Sequence, residues 1–574
     1  MAKINLQLSL ATVGISFVWI VTFSAAAEPN PDNRKSDNKK AESTGPSLLP
    51  ILREASDLAL EQDKSQHYWI ERVLLHIAEL QIQAADFDGA LRSIRGSATG
   101  WHGNRGLMNL ATSLARAGKR ERAFEILFLI EKDPWWPADV LGDRVELEWI
   151  KHLIASGNLA DAKQAIGVLK LTYYRPDALA HLAVANAKLN NGAQAKELFT
   201  QAVDAASSLK DEPECAAEAL QKIADAQLTV RLNDNARETI RRLAETADLI
   251  KDPWAKASAL WKAAVVVAKA NDHPTAHRLF DRAIEAQKTP NGKDNGDALR
   301  EIAAAQASVG YLDDALKTVK QNKRHFEHGD REAVLLEIAA GQAKMNDVEG
   351  AVRTALSVKR YLQYRDDSLH MIVDHLIAKR DFKTALTTAQ EVANPSRQAA
   401  AILKVATAHA KSGDRKTATQ VAAQIELIQS DDLPVLLGKQ KQKFDYRHPR
   451  TWGVRYDDHS FFTGASHHFS TQRAAEVAAA AMELSLALGQ QLDQSYAILF
   501  NEINTPEVVQ VLARTHAASG NSGEALAWAK KIGSSGKVDS NDNSSEKLWA
   551  VERRIHALIG VAEGILDLLK KGEF

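Results

Sequence analysis

Cysteine is nearly absent. Cys215 is the only one in 574 residues, so no internal disulfide can form even in an oxidising compartment, and stability has to come from packing. A charge bias is missing as well. Lys and Arg number 72 against 73 Asp and Glu, a net charge of -1, which leaves no field to gather nucleic acid or an anionic lipid surface. Catalytic signatures are also lacking: there is no Gly-x-Ser-x-Gly, phosphate-cradling glycine loop, His-Glu-x-x-His or Cys/His nucleophile arrangement. Carboxylates are plentiful, but on charge-rich helices they serve as solvated faces or i, i+4 partners. Asp313-Asp314 and Asp366-Asp367 fall near unit junctions and turns, which fits caps better than acid/base chemistry. No catalytic residue, cofactor or metal is expected.

Long apolar runs are confined to the start of the chain. Lys3 gives a short positive start, Leu8 to Phe23 is almost uncharged, and Ala25-Ala26-Ala27 offers small residues for cleavage, the pattern of an export signal over 1–27. An uncleaved anchor is the alternative, and contact with a membrane is expected only in that case. No Cys follows the run, so a bacterial-type lipid anchor has no attachment point. Residues 28–46 are rich in Asn, Asp, Lys, Ser and Pro and read as a tether unable to bury enough apolar surface to order itself.

What the chain has in abundance is self-similarity. Ala90, Ala123, Ala162, Ala195, Ala236, Ala276, Ala315, Ala351, Ala385, Ala418 and Ala525 each stand five residues after a helix-ending position. Gly118, Gly157, Gly310, Gly413 and Gly520, or Asn190, Asn271 and Asn346, hold that ending, where a left-handed backbone is needed. A matching small set lies on the preceding helix: Ala78, Ala111, Ala183, Ala224, Ala264, Ala303, Ala339, Ala406 and Ala513, beside core residues such as Ile77, Leu182 and Ile302. Small side chains at both places let two helices cross closely. The spacing between stops runs from about 33 to about 41 residues, a period that indicates stacked helical hairpins and a chain that grows by adding units.

In this frame the chain resembles the tetratricopeptide repeat, whose hairpins carry Leu-Gly, Gly and Ala at the same offsets. The resemblance runs from about Leu74 to Ile532 and departs systematically: Leu107, Leu179, Leu220, Leu260, Leu299, Leu335 and Leu369 stand where the family favours Trp, and the unit-ending proline is mostly missing. It implies an all-α, right-handed superhelix of about 11–12 hairpins with one long irregular insert. The solenoid is expected over 47–426, the insert over 427–470, and further hairpins with a capping helix over 471–574. Helices are expected from Thr471 to Leu488, from Leu492 to Asn504 and from Glu546 to Lys570.

Four groups of residues are candidates for function. Arg116, Lys188, Lys269, Lys344 and Lys411 share one position near the end of first helices, where they form a ladder for an acidic peptide or simply complement helix dipoles. The insert carries Trp452, Tyr456 and Phe461 among its aromatics, either its own small core or an anchor set for a partner. It also holds Asp445, His448, Asp457, Asp458, His459, His467 and His468, which are metal-ligating types without a spacing that fixes a geometry. Asp133-Pro134-Trp135 and Asp252-Pro253-Trp254 mark junctions, with Asp as cap and Pro in the first turn.

The expected function is an exported, non-enzymatic scaffold, periplasmic or secreted in a bacterial envelope, that binds a protein or peptide through its concave face. The alternative is an envelope enzyme with a metal or glycan site formed by the insert and the neighbouring His370, His375 and His409. Oligomeric state and partner identity have no signal in the sequence.

Overall fold

In the computed structural model the described residues are 47–424 apart from short junction stretches, most of 476–487, and 506–571 apart from 533–543. Every regular element among them is helical. After α1 (Leu48–Leu60) come ten hairpins in succession. The first five are α2 and α3 (Tyr68–Gln83, Phe87–Gly96), α4 and α5 (Trp101–Arg116, Arg120–Leu127), α6 and α7 (Ala138–Ala155, Leu159–Val168), α8 and α9 (Arg175–Lys188, Gly192–Ser207), and α10 and α11 (Pro213–Thr229, Asn233–Leu249). The next five are α12 and α13 (Pro253–Lys269, His273–Ala286), α14 and α15 (Gly296–Ser308, Leu312–Gln321), α16 and α17 (Asp330–Lys344, Val348–Leu356), α18 and α19 (Leu362–Ala378, Phe382–Gln390), and α20 and α21 (Pro395–Lys411, Arg415–Ala423). A helical stretch within 476–487 then packs Val477, Ala480 and Leu484 on the core of α18–α21. α22 and α23 (Pro506–Ala518, Ser522–Lys531) make one more hairpin, and α24 (Ser544–Lys571) is the last helix.

The chain folds this way because each unit stops, turns and crosses by the same local rules. Gly118, Gly157, Gly310, Gly413 and Gly520 have φ between 79 and 91°, and Asn190, Asn271 and Asn346 have φ of 63, 60 and 66°, as the repeat frame requires. Ala85, Arg231 and Arg380 take the same left-handed role at φ 59, 61 and 61°, although their side chains do not favour it. From Asp86 to Asp414, the residue after each stop sends its N–H to a carbonyl five residues back, for instance Tyr311 to Gln306 at 2.9 Å and Asp347 to Gln342 at 2.9 Å. Those bonds occupy carbonyls that the helix end would otherwise leave open. Where that residue is Asp, it also caps the second helix: Asp86, Asp272, Asp347, Asp381 and Asp414 accept from the N–H three positions on.

The recurrent alanines are contact points. All eleven on the second helices are no more than 1% exposed, and the nine on the first helices no more than 2%. Leu220, Leu260, Leu299 and Leu369, standing where the repeat family favours Trp, are also buried at 0–1%. A second contact escaped the sequence reading. Three residues beyond the paired alanines, a buried Ser or Thr hydroxyl donates to a Gln carbonyl of the first helix: Ser93 to Gln81 at 2.8 Å, Thr239 to Gln227 at 2.8 Å, Thr318 to Gln306 at 2.9 Å and Thr354 to Gln342 at 2.7 Å. In the hairpin of α12 and α13 the same pair is apolar, Val267 and Leu279.

Successive first helices pack on one another along the array, whereas successive second helices scarcely meet. Closer spacing on one side bends a stack toward that side, so the first helices line the inner layer. The terminal helix departs from expectation in its location. A helix over Glu546 to Lys570 is present as α24, but it packs on α22 and on α1 at the opposite end of the chain rather than capping the last hairpin alone. The segments 1–27, 28–46 and 427–470, and the helix expected at Leu492 to Asn504, lie outside the described residues.

Candidate functional site

The inner layer carries a run of polar side chains along the first helices. Counted from the buried centre of each first helix, the position two residues before and the one just after face away from the second helix. They hold Glu148 and Lys151 on α6, His181 on α8, Lys222 and Asp225 on α10, Lys262 on α12 and Glu301 on α14. Local folding puts them there: the alanine and leucine positions turn inward at a 3.6-residue period, leaving the remaining arc to polar residues.

These side chains are linked from unit to unit. Arg116 at the end of α4 pairs with Glu148 of α6, and Lys151 Nζ lies 3.3 Å from Glu148 and 3.6 Å from Asp177 of α8. His181 Nε2 is 3.6 Å from the same Asp177. Lys222 pairs with Glu218 at 2.8 Å, and Lys269 of α12 reaches back to Asp225 of α10 at 3.3 Å. Burial opposes the charge on each group, and the outcome depends on its neighbours. Burial would raise the Glu148 carboxyl, but Arg116 and Lys151 hold it below the usual range. Burial lowers His181, with Lys151 and Lys222 acting in the same direction against Asp177, so the ring is favoured neutral. Lys222 is kept above its ordinary value because Glu218 outweighs desolvation. Glu301 is raised by burial despite Arg300 and Lys262.

The predicted cation ladder is on this layer, but it is interleaved with acids. Arg116, Lys269 and Lys411 each face a carboxylate of an adjoining helix, Glu148, Asp225 and Glu483 respectively, the last at 3.8 Å. Lys188 and Lys344 are exposed at the ends of α8 and α16. The row therefore bridges units as well as complementing helix dipoles. Trp452, Tyr456 and Phe461 fall outside the described residues, as do the Asp and His residues of the insert and Asp133-Pro134-Trp135. At the second Asp-Pro-Trp, Asp252 accepts from Ala255 N at 2.7 Å and Pro253 opens α12, as expected.

Of the three histidines expected to join the insert, His370 and His409 are separately engaged, whereas His375 Nε2 is buried without a hydrogen-bond partner among the described residues. His370, buried among α18 and α20, meets the Arg397 carbonyl at 2.9 Å, and burial with Arg397 and Lys404 nearby lowers it to about 4. His409 stacks obliquely on Phe382 and lies 3.6 Å from Asp414. His375 is half-buried on α18. Among the described residues no three His, Cys, Asp or Glu converge as a metal would require. Asp366 is buried and accepts from the N–H groups of Ala393 and Asn394 at 2.9 and 3.1 Å, which makes it a junction cap, as its position suggested. Asp313 and Asp314 lie in the first turn of α15, where Asp314 also pairs with His277 at 2.8 Å.

The residues that sequence reasoning missed are Lys151, Asp177, His181, Lys222 and Asp225. Their signal was available in the repeat alignment, at the offsets beside the buried alanines, but only packing shows which offsets share a surface.

No family model matches the chain, and no curated protein sequence matches it. Similar solved structures include Ton1535 from Thermococcus onnurineus NA1, at 16% identity, over 57% of this chain and 96% of that one, with a TM-score of 0.25. The Rap protein complexed with competence and sporulation factor is 12% identical over 61% of this chain and 99% of its own, with a TM-score of 0.25. Yeast Tom70 is 13% identical over 85% and 95%, with a TM-score of 0.24. The tetratricopeptide-like architecture is established by the hairpins themselves: their left-handed stops, buried alanine pairs and stacked first helices. Among the described residues no helix is long and apolar enough to cross a membrane.

Proposed function

We propose that the protein is an exported, non-enzymatic scaffold that holds a protein or peptide partner on its layer of first helices. The observation that supports this reading is the stacking of first helices into one layer, whose polar side chains are paired across the boundaries between α4 and α6, α6 and α8, and α10 and α12. Such a surface binds through many modest contacts, with a few anchors setting specificity. It carries charges of both signs, so it selects by pattern rather than by net attraction. Lys222 and Lys262 hold equivalent positions on α10 and α12, and Glu301 and Glu337 hold the same position on α14 and α16, so a partner would have to match that order.

Full-length protein as bait for an envelope fraction tests the reading, with Lys222→Glu plus Lys262→Glu compared against Arg241→Glu on the outer layer. The inner-layer pair should abolish capture of whatever the parent retains, and the outer change should leave it intact. Equal retention by all three would remove the inner layer as the binding surface. Amino-terminal sequencing of the exported protein should begin near Glu28.

A further inference from the structure

One hairpin is assembled from the two ends of the chain. α24 occupies the place of a first helix, against α22, and α1 occupies the place of its second helix, against α24 and α2. Ile51, Leu52, Ala55 and Ala59 of α1 share a core with Ile555, Leu558, Ile559 and Ile565 of α24, all buried. Polar contacts pin the seam: Arg554 to Glu54 at 2.6 Å, Lys530 to the same carboxylate at 3.7 Å, and His76 of α2 to Glu563 at 2.9 Å. The fit of α24 on α22 is close. Gly560 and Gly564 lie over the Gln510 and Arg514 carbonyls, where a Cβ at either position would overlap backbone, and Ala513 and Ala517 face them.

Every other hairpin joins helices a few residues apart, so it closes from local contacts as soon as it is made. The seam joins residues 487 and 500 positions apart. Until residues 544–571 arrive, the apolar face of α1 has no partner of its own on that side. The other covalent route between the two ends is short: the 18 residues 488–505 span at most about 60 Å when fully extended.

We propose that α24 on α1 is a clasp that closes last and tethers the two ends of the array, limiting how far the inner layer can extend. With the clasp shut, α22–α24 are held against α1 and α2 at the amino-terminal end, and the 18 residues that follow 487 set an upper bound on their distance from the helix at 476–487. With it open, the stack of units is free to lengthen, since each unit contacts only its neighbours.

The test uses the full chain. In a Cys215→Ser background, Glu54→Cys with Arg554→Cys should be joined within one molecule by a short bismaleimide, giving a faster-migrating monomer. Ile559→Asp should open the seam: cleavage within 48–60 by dilute protease should accelerate by at least roughly tenfold, and the maximum dimension from small-angle scattering should grow while most helical ellipticity is kept. Cross-linking only between chains, an α1 as resistant in Ile559→Asp as in the parent, an unchanged dimension, or a global loss of helicity would each overturn the clasp.

Discussion

At the residue scale, size and hydrogen-bond partnership at the hairpin crossing govern stability. Ala315 is completely buried where α15 crosses α14, so Ala315→Leu should destabilise by about 1–3 kcal/mol through overpacking. Ala304→Leu, on the half-buried side of α14, should change stability by no more than about 0.5 kcal/mol. Urea unfolding followed by circular dichroism compares the two, and equal effects would contradict the crossing role. Thr318→Val leaves the buried Gln306 carbonyl without its donor and should cost about 1–3 kcal/mol. Adding Gln306→Leu in the same chain should recover most of that loss, as the apolar version of the pair in the hairpin of α12 and α13 implies. Strictly additive losses would show that the two residues act independently. The alanines were legible in the sequence because they recur at a fixed offset. The Gln and Ser/Thr pairs were not, since an apolar pair takes their place in the hairpin of α12 and α13 and only their shared burial reveals them.

At the element scale, each hairpin depends on a backbone conformation that few residues adopt without cost. Glycine and asparagine announced eight of the stops, while Ala85, Arg231 and Arg380 gave no such signal and were placed by the surrounding frame. Arg231 at φ 61° carries a penalty that glycine would not, so Arg231→Gly should raise the melting temperature, with a gain on the order of 1 kcal/mol. Gly310→Ala at φ 86° should lower it by a similar amount. Thermal unfolding measures both, and a fall for Arg231→Gly would mean that the Arg side chain contributes more than the strain removes. The aspartates that cap second helices follow from the same turn, and all five are visible in the sequence once the stop is located.

At the scale of the whole molecule, two ends of the chain meet through a titrating pair. Glu563 and Glu79 raise His76 from 6.5 to about 9, and His76 and Gln510 hold Glu563 below its ordinary value despite burial. A raised imidazole contributes fully below its unfolded pKa, and that contribution is lost as pH rises through the folded one. The depressed carboxylate contributes above its unfolded value and loses its part as pH falls. The seam should therefore be firmest between about pH 4.5 and 6.5 and weaken toward pH 9. Protease resistance of α1 followed from pH 6 to 9.5 should decline in the parent and stay flat in His76→Gln. A parallel decline in both would assign the effect to other groups.

The sequence by itself determined the helical class, the hairpin unit and the left-handed stops, because each is a local consequence of residue type at a repeated offset. It also located the small residues that let helices cross. Tertiary structure alone decided which polar offsets form one surface, how the expected cation row is interleaved with acids, and that the last helix lies against the first. Those outcomes depend on neighbours in space that periodicity does not specify: a repeat determines how each unit folds, and the packing of unit on unit determines what each polar side chain faces and where the ends of the chain come together.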